Sequence, residues 1–292
     1  MTGRPRRYPE RCPRIFGWQS GGGQRNHPVW RLAVNCSSQG GKGMYLQRID
    51  HLFSPGLFLA ERIERRLLPA YNLNVIELGA GCALPSLLMS TVASPPATVV
   101  VTDYPDPGIL GNVARNVERN AHLVTTGCTV QGFGYEWGTD VAPLLAHERT
   151  GYDLVVLSDL LHFHSSHGVL ISSVDALLAR SPDARIHVAA GNYTKPEVCD
   201  NFLSLAAEAG FTFDELLPAD GESEWLGRST VSGLDKMDLA MRKAACRYWV
   251  GRRSPLIIHK KGKKNGLHLT TYWKSSRPSA QYLLSGPLRV YL

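Results

Sequence analysis

The 292-residue chain has no two cysteines at a metal-ligand spacing. Cys12, Cys36, Cys82, Cys128, Cys199 and Cys246 lie far apart and form no CxxC. That scatter excludes a zinc ribbon and a disulfide framework, and it points to a reducing compartment. No apolar run approaches the ~18 residues of a membrane-spanning helix. No internal repeat is present. An amphipathic transit helix is also missing: the N-terminal stretch is rich in arginine, but Pro5, Pro9 and Pro13 would interrupt it. The expected location is the cytoplasm.

Acid is scarce at both ends. Residues 1–50 hold nine Lys or Arg against two acids, and residues 254–292 hold seven against none. The segment between them holds sixteen against twenty-three, a net of −7 beneath an overall charge of +7. The basicity therefore belongs to the ends, which read as solvated segments, and neither nucleic acid nor a membrane is expected as a partner.

Residues 1–50 follow neither a helical nor a strand period and include Gly21-Gly22-Gly23, so an irregular basic segment is expected there. Residues 254–292, with two Lys-Lys pairs and scattered aromatics, read as a disordered basic tail. Between them, 51–253 reads as one domain. "GLFLAERIERRLL" puts Leu57, Ala60, Ile63 and Leu67 on one helical face. Seven strands are expected, at 73–78, 98–103, 129–133, 153–159, 185–191, 211–217 and 246–252. Helices separate most of them, around 84–92, 107–122, 166–180, 195–210 and 236–244. This alternation predicts a doubly wound, Rossmann-like α/β fold, with a mostly parallel seven-stranded sheet covered on both faces.

"NVIELGAGCALPSLLMS", residues 74–90, places Gly79 and Gly81 where the first strand turns into a helix, at the end of the sheet where ligands bind. A dinucleotide loop would carry a third glycine, and here Leu84-Pro85 stands in that slot. This counts against a pyrophosphate and so against a nicotinamide-dinucleotide dehydrogenase. Glu77, two residues before the first glycine, would repel phosphate and suit a cation. Asp103 ends the second strand, where a carboxylate can accept ribose hydroxyls, and Tyr104 follows as an aromatic placed to cover a base. A ribose and an ammonium without phosphate describe S-adenosylmethionine.

The motifs "VIELGAGCALPSLL", "VVVTDYPD", "YEWG", "YDLVVLSDLLHFHSSH" and "HVAAGNYTKPEVCDNF" together resemble the seven-strand methyltransferases of the fungal nicotinamide N-methyltransferase-like group. That group belongs to the wider set containing the lysine methyltransferases of elongation factors. The resemblance implies that Glu77, Gly79 and Gly81 cradle the methionine part of the cofactor and that Asp103 holds the ribose. It implies Trp137 against the adenine and Ser158 lining the cofactor, with Phe53 where relatives often have tryptophan. Asp159-Leu160-Leu161-His162 matches an Asp-x-x-aromatic element, with histidine in the aromatic slot. Ala83 replaces the third glycine of GxGxG, a change expected to tighten the turn.

His162, His164 and His167 cluster after the fourth strand of this reading. Their spacing matches no common zinc site, and no metal is expected. His162 is the candidate proton acceptor near neutral pH, and His164 a candidate for orienting substrate. Asp159 would hold an ammonium or fix a neighbouring donor. Asn192 and Tyr193, after the fifth strand, face the same crevice as substrate-binding candidates. The expected activity is N-methyl transfer, with a protein lysine or N-terminal amine ahead of a nicotinamide-type pyridine as acceptor. A non-catalytic partner of the same fold is the remaining alternative.

Overall fold

The computed structural model describes residues 16–18, 52–146, 150–217, 223–231 and 233–254. The chain runs β1 (Phe16–Trp18), α1 (Ser54–Glu64), β2 (Asn74–Leu78), α2 (Leu84–Ser90), β3 (Thr98–Asp103), α3 (Pro107–Asn120), β4 (Thr129–Gly134) and α4 (Ala142–Leu145). It continues β5 (Leu154–Ser158), α5 (His167–Leu177), β6 (Arg185–Gly191), α6 (Pro196–Glu208), β7 (Phe211–Glu215), β8 (Ser229–Val231), α7 (Lys236–Ala244) and β9 (Cys246–Arg253).

Seven strands pair in the order β4-β3-β2-β5-β6-β9-β7. All run parallel except β9, which pairs antiparallel with both β6 and β7. The central strands are continuous apolar runs because helices cover both faces. Val75, Val99, Val101, Leu154 and Val156 belong to one core layer, and Ile76, Leu78, Val100, Val155 and Leu157 to the other. The chain builds outward from β2 to β4, then returns to start β5 on the other side of β2. The loops after β2 and β5 therefore diverge and leave a crevice at the C-terminal edge.

All seven expected strands are present in that sheet. Three expectations are corrected. The helix expected over 56–68 ends at Glu64, because Arg66 takes a left-handed conformation (φ 60°). Leu67 consequently leaves the buried face and is exposed. The expected irregular N-terminal segment contributes β1, which pairs antiparallel with β8, Phe16 opposite Val231. Three residues are too few to show alternation, and the partner strand lies more than 200 residues away. The rest of 1–50 and the expected tail beyond Ser254 lie outside the described residues. Among those described, no helix is long and apolar enough to cross a membrane.

α1 is buried on nearly every side, and two of its buried residues are glutamates. Glu61 accepts from Lys243 Nζ of α7 at 2.9–3.0 Å and from the Leu226 N–H at 2.6 Å. Lys243 Nζ also donates to the Glu224 carbonyl at 2.9 Å. One turn on, Glu64 accepts from the backbone N–H groups of Arg228 and Ser229 and from the Ser229 hydroxyl. These bonds fasten α1 to the 224–229 segment and to α7. Truncating one partner of a buried pair strands the other charge and costs about 3–5 kcal/mol. Lys243→Met should therefore shift the urea midpoint strongly, while the double change Glu61→Leu/Lys243→Met should recover most of the loss. Equal midpoints for the single and double variants would show that the pair is not coupled.

His187 of β6 is buried against Tyr248 of β9, its Nδ1 meeting the phenol hydroxyl. Burial, with Arg62 and Arg185 nearby, presses the imidazole down to about 3. The unfolded chain, with an ordinary histidine near ~6.5, then binds the extra proton between those values. Stability is complete above about pH 6.5 and falls toward pH 3, by about 3 kcal/mol at pH 4 from this residue alone. His187→Gln should flatten the acid fall in melting temperature between pH 6.5 and 4. An unchanged slope would show that the fall comes from other groups.

Candidate active site

The turn after β2 is held by its own backbone and by the end of β3. The Ala80 N–H donates to the Thr102 carbonyl at 2.9 Å, Gly81 N–H to Asp103 Oδ2 at 2.6 Å, and Ala83 N–H to the Ala80 carbonyl at 2.7 Å. Gly79, Gly81 and Ala83 all have positive φ, at 59°, 57° and 59°. Ala83 thus adopts a left-handed conformation that glycine reaches without strain. Its methyl group instead carries left-handed strain of about 1–2 kcal/mol while filling a wholly buried position. At Gly79 the missing side chain is a steric need. A Cβ there would lie 2.7 Å from Leu160 Cδ2 and 3.2 Å from Trp137 Cζ2.

Trp137 is positioned from α5. Ser173 Oγ accepts from the Tyr135 hydroxyl and from the Gly138 N–H, each at 2.8 Å, and donates to the Val169 carbonyl. Those bonds bracket Trp137 and deliver its ring onto Gly79. Phe163 meets the same ring edge-on, with centroids 5.7 Å apart. Sequence reasoning missed Phe163 and Leu160. It placed the aromatic of the fourth-strand motif at His162, but the ring that touches Trp137 is the next residue along. His162 is exposed, and its ring lies tilted at 37° against Phe163, with centroids 4.0 Å apart.

Two acids stand at adjoining strand ends beside this turn. Glu77 is fully buried, and Oε2 accepts from the Ser86 N–H at 3.2 Å. Oε1 is buried with no hydrogen-bond partner. Burial raises the carboxyl to about 7, with Asp103 adding to the rise and the Ser86 hydrogen bonds opposing it. Asp103 accepts from Gly81 through Oδ2 and from the Tyr104 N–H through Oδ1 at 2.7 Å. Burial raises its carboxyl as well. Each Asp103 oxygen therefore already carries one hydrogen bond, leaving one acceptor position apiece. The Tyr104 ring is half exposed beyond it.

Across the crevice, Ser158 ends β5 against the start of α1, where a Cβ on Gly56 would lie 3.8 Å from its hydroxyl. Phe53 caps that helix start. Asp159 follows with φ 65° and its N–H bonded to the Ala189 carbonyl at 2.8 Å. Its Oδ2 accepts from the Tyr193 hydroxyl, and Oδ1 is buried without a hydrogen-bond partner. Burial lifts this carboxyl to about 6, against the Tyr193 hydroxyl and the nearby Gly191 N–H, which lower it. Asn192 beside Tyr193 is exposed, its N–H bonded to the Ala245 carbonyl.

The three histidines do not act as one group. His167 is buried, with Nε2 at 2.8 Å from the Leu161 carbonyl and Nδ1 at 3.1 Å from Asn201 Nδ2. A neutral ring with its proton on Nε2 satisfies both contacts and braces the 160–167 loop. His164 lies exposed in a short 3-10 turn. Among the described residues, no three metal-ligating side chains cluster. The structure thus joins Gly79 with Trp137, Gly81 with Asp103, Ser158 with α1, and Asp159 with Tyr193.

A sequence model of the family described as lysine methyltransferase matches residues 53–208. The protein N-terminal and lysine N-methyltransferase EFM7 of Gibberella zeae is 32% identical over 179 residues, 57% of this chain and 67% of that protein. Its Schizosaccharomyces pombe counterpart is 28% identical over 174 residues, covering 57% and 66%. The Cryptococcus neoformans protein is 43% identical over 110 residues, 37% of this chain and 36% of its own. The matched stretch therefore spans from about one third to two thirds of these relatives. Among solved structures, magnesium protoporphyrin IX methyltransferase from Synechocystis with bound S-adenosylhomocysteine matches 75% of this chain and 91% of its own, at 14% identity and a TM-score of 0.44.

Asp103 ties the turn to β3 by accepting from the Gly81 N–H, and its other oxygen accepts from the adjoining Tyr104 N–H. Hydrogen bonds to a charged acceptor contribute about 1.5–3 kcal/mol each, and the cost of burying this carboxylate offsets part of that. Asp103→Ala should lower stability by about 2 kcal/mol in chemical denaturation, a folded but weakened protein. An unchanged midpoint would mean that the Ala80 and Ala83 backbone bonds suffice to hold the turn.

Proposed function

The chain belongs to the lysine methyltransferase family, and from that premise we propose that it transfers a methyl group from S-adenosylmethionine to a protein amine, a lysine side chain or an N-terminal α-amine. The observation that carries the acceptor class is Asp159: a buried carboxyl at the end of β5, one of whose oxygens has no hydrogen-bond partner. An amine approaching as an ammonium supplies the missing partner. A nicotinamide-type pyridine has no N–H on its accepting nitrogen, and its carboxamide N–H groups carry no charge, so they make a weaker hydrogen bond to a carboxylate than an ammonium does. The EFM7 relatives, named for protein N-terminal and lysine methylation, support the same choice.

The cofactor fits the residues across the crevice. Glu77 Oε1, buried and unpartnered, suits the ammonium of its methionine part. Trp137, seated against the Gly79 backbone together with Leu160, is the aromatic ring proposed to meet the adenine. Asp103 keeps one acceptor position on each oxygen for the ribose hydroxyls. Tyr104, Ser158 and Phe53 line the rest. S-adenosylmethionine supplies a methyl on a sulfonium, whose carbon–sulfur bond breaks as the nitrogen–carbon bond forms, the electron pair staying on sulfur.

The residues of the chain have to orient the acceptor nitrogen, exclude water and manage one proton. An ammonium has no lone pair, so its proton must leave before attack. Moving it to a carboxyl near 6 costs about 6 kcal/mol from a lysine near ~10.4 and about 2.5 kcal/mol from an α-amine near ~7.8. Both lie well inside an enzymatic barrier. Asp159 Oδ1 is the proposed acceptor of that N–H. His162 and His164, exposed beside it, line the entrance with Asn192 and Tyr193. On this reading the catalytic domain is 51–253, with the basic ends outside the chemistry.

Labelled S-adenosylmethionine added to an extract lacking this chain tests the reading. Purified protein should place label in a protein band, and label found only in small molecules would sink the protein-amine acceptor. Asp159→Asn should lower kcat at least 100-fold while S-adenosylmethionine binds within about two-fold of wild type. Asp103→Ala should weaken binding of S-adenosylmethionine about ten-fold or more. The wild-type rate should fall below about pH 6 as Asp159 protonates, and His162→Phe should retain that limb. Loss of the limb in His162→Phe would make the histidine the base instead.

A further inference from the structure

Asp159 is ready for a cation and closed to one. Its side chain is 5% exposed, and Oδ1 is shut off from solvent without a hydrogen-bond partner. Oδ2 is taken by the Tyr193 hydroxyl. Tyr193, by contrast, is 53% exposed, so its phenol reaches from the surface to the buried carboxyl. Its seat is built for it. A Cβ at Gly191 would overlap the edge of the Tyr193 ring at Cε1, and Gly191 has no positive φ that would otherwise call for glycine. The glycine here serves the tyrosine.

We propose that Tyr193 is a charge-selective gate: its hydroxyl closes Asp159 in the free protein and yields only to an acceptor nitrogen that arrives as an ammonium. The inference rests on the proposed function and narrows it, because it says which acceptors can reach the carboxyl at all. The phenol offers one dipolar O–H and no charge. Burial, with Asp159 beside it, keeps that phenol protonated well above its ordinary range. The Cys246 thiol donates to the Arg242 carbonyl, and burial, with the Asp159 charge adding, pushes it up to about 12, so it too is neutral. The Gly191 N–H is a neutral dipole as well. A positive nitrogen gains more from a desolvated carboxylate than any of these groups. A neutral heteroaromatic gains less than the phenol it would have to evict.

Fluorine resonance of the full chain carrying 3-fluorotyrosine tests this, with n-butylammonium as a probe for a lysine side chain and nicotinamide as the neutral probe. The Tyr193 signal is identified among the eleven tyrosines by its absence in Tyr193→Phe. n-Butylammonium should move that signal toward the position of a solvent-exposed tyrosine, and nicotinamide at equal concentration should leave it in place. Gly191→Ala, which pushes the ring off its seat, and Asp159→Asn, which weakens its anchor, should both start from the displaced position and respond little. A signal that neither probe moves, or that both move alike, overturns the gate, as does an Asp159→Asn protein with the wild-type shift and response. No methyl donor is present in these measurements. Failure to transfer label from S-adenosylmethionine with an intact probe response would therefore count against the methyltransferase reading and leave the gate standing.

Discussion

The crevice depends on one atom that is missing. Because Gly79 has no Cβ, Leu160 from the loop after β5 and Trp137 from the loop after β4 both close onto the backbone after β2. Three strand ends are thereby locked to one point, and the residues that follow each of them inherit fixed positions. Asp159 precedes Leu160, and Phe163 reaches back from the same loop to the Trp137 ring. A side chain at 79 would push the Leu160 methyl and the Trp137 ring off this backbone and would be strained at φ 59°.

Around that point the protein keeps acids in surroundings that disfavour their charge. Glu77 and Asp159 are each buried with one unpartnered oxygen, and burial raises both carboxyls. Each is a debit to folding, since an unsatisfied buried acceptor costs about 1–3 kcal/mol. The two follow from neighbouring strands, Glu77 within β2 and Asp159 just after β5. Ala83, holding a left-handed conformation beside them, adds strain to the same turn. Sites built this way trade stability for readiness.

The offsetting stability lies in part behind the crevice. α1 is pinned by Glu61 and Glu64 to a segment some 165 residues further along the chain and by Glu61 to Lys243 of α7. That helix carries Gly56 against Ser158 and Phe53 at its start. The clamp on its far turns thereby holds its first turn at the crevice. Apolar packing alone would let the helix slide along its axis, and directional bonds to two glutamates do not.

The sheet was legible in the sequence because its central strands are local apolar runs between breakers, and the pattern of one run does not depend on its neighbours. The same local logic put Gly79, Gly81 and Asp103 at strand ends, and there the structure finds them. Its failures share a cause. The end of α1 is set by a backbone reversal at Arg66, the pairing of β1 with β8 joins segments more than 200 residues apart, and the ring that meets Trp137 is Phe163 because the turn after Asp159 rotates His162 outward. Periodicity reports which way a side chain faces within its own element and nothing about what another element brings to it. The sequence therefore determined the strands, their helices and the acids at their ends. Only the tertiary structure decided that Tyr193 closes Asp159, that Glu61 meets Lys243 and that Gly79 must stay bare, because each is a contact between elements whose approach the packing of the whole sheet sets.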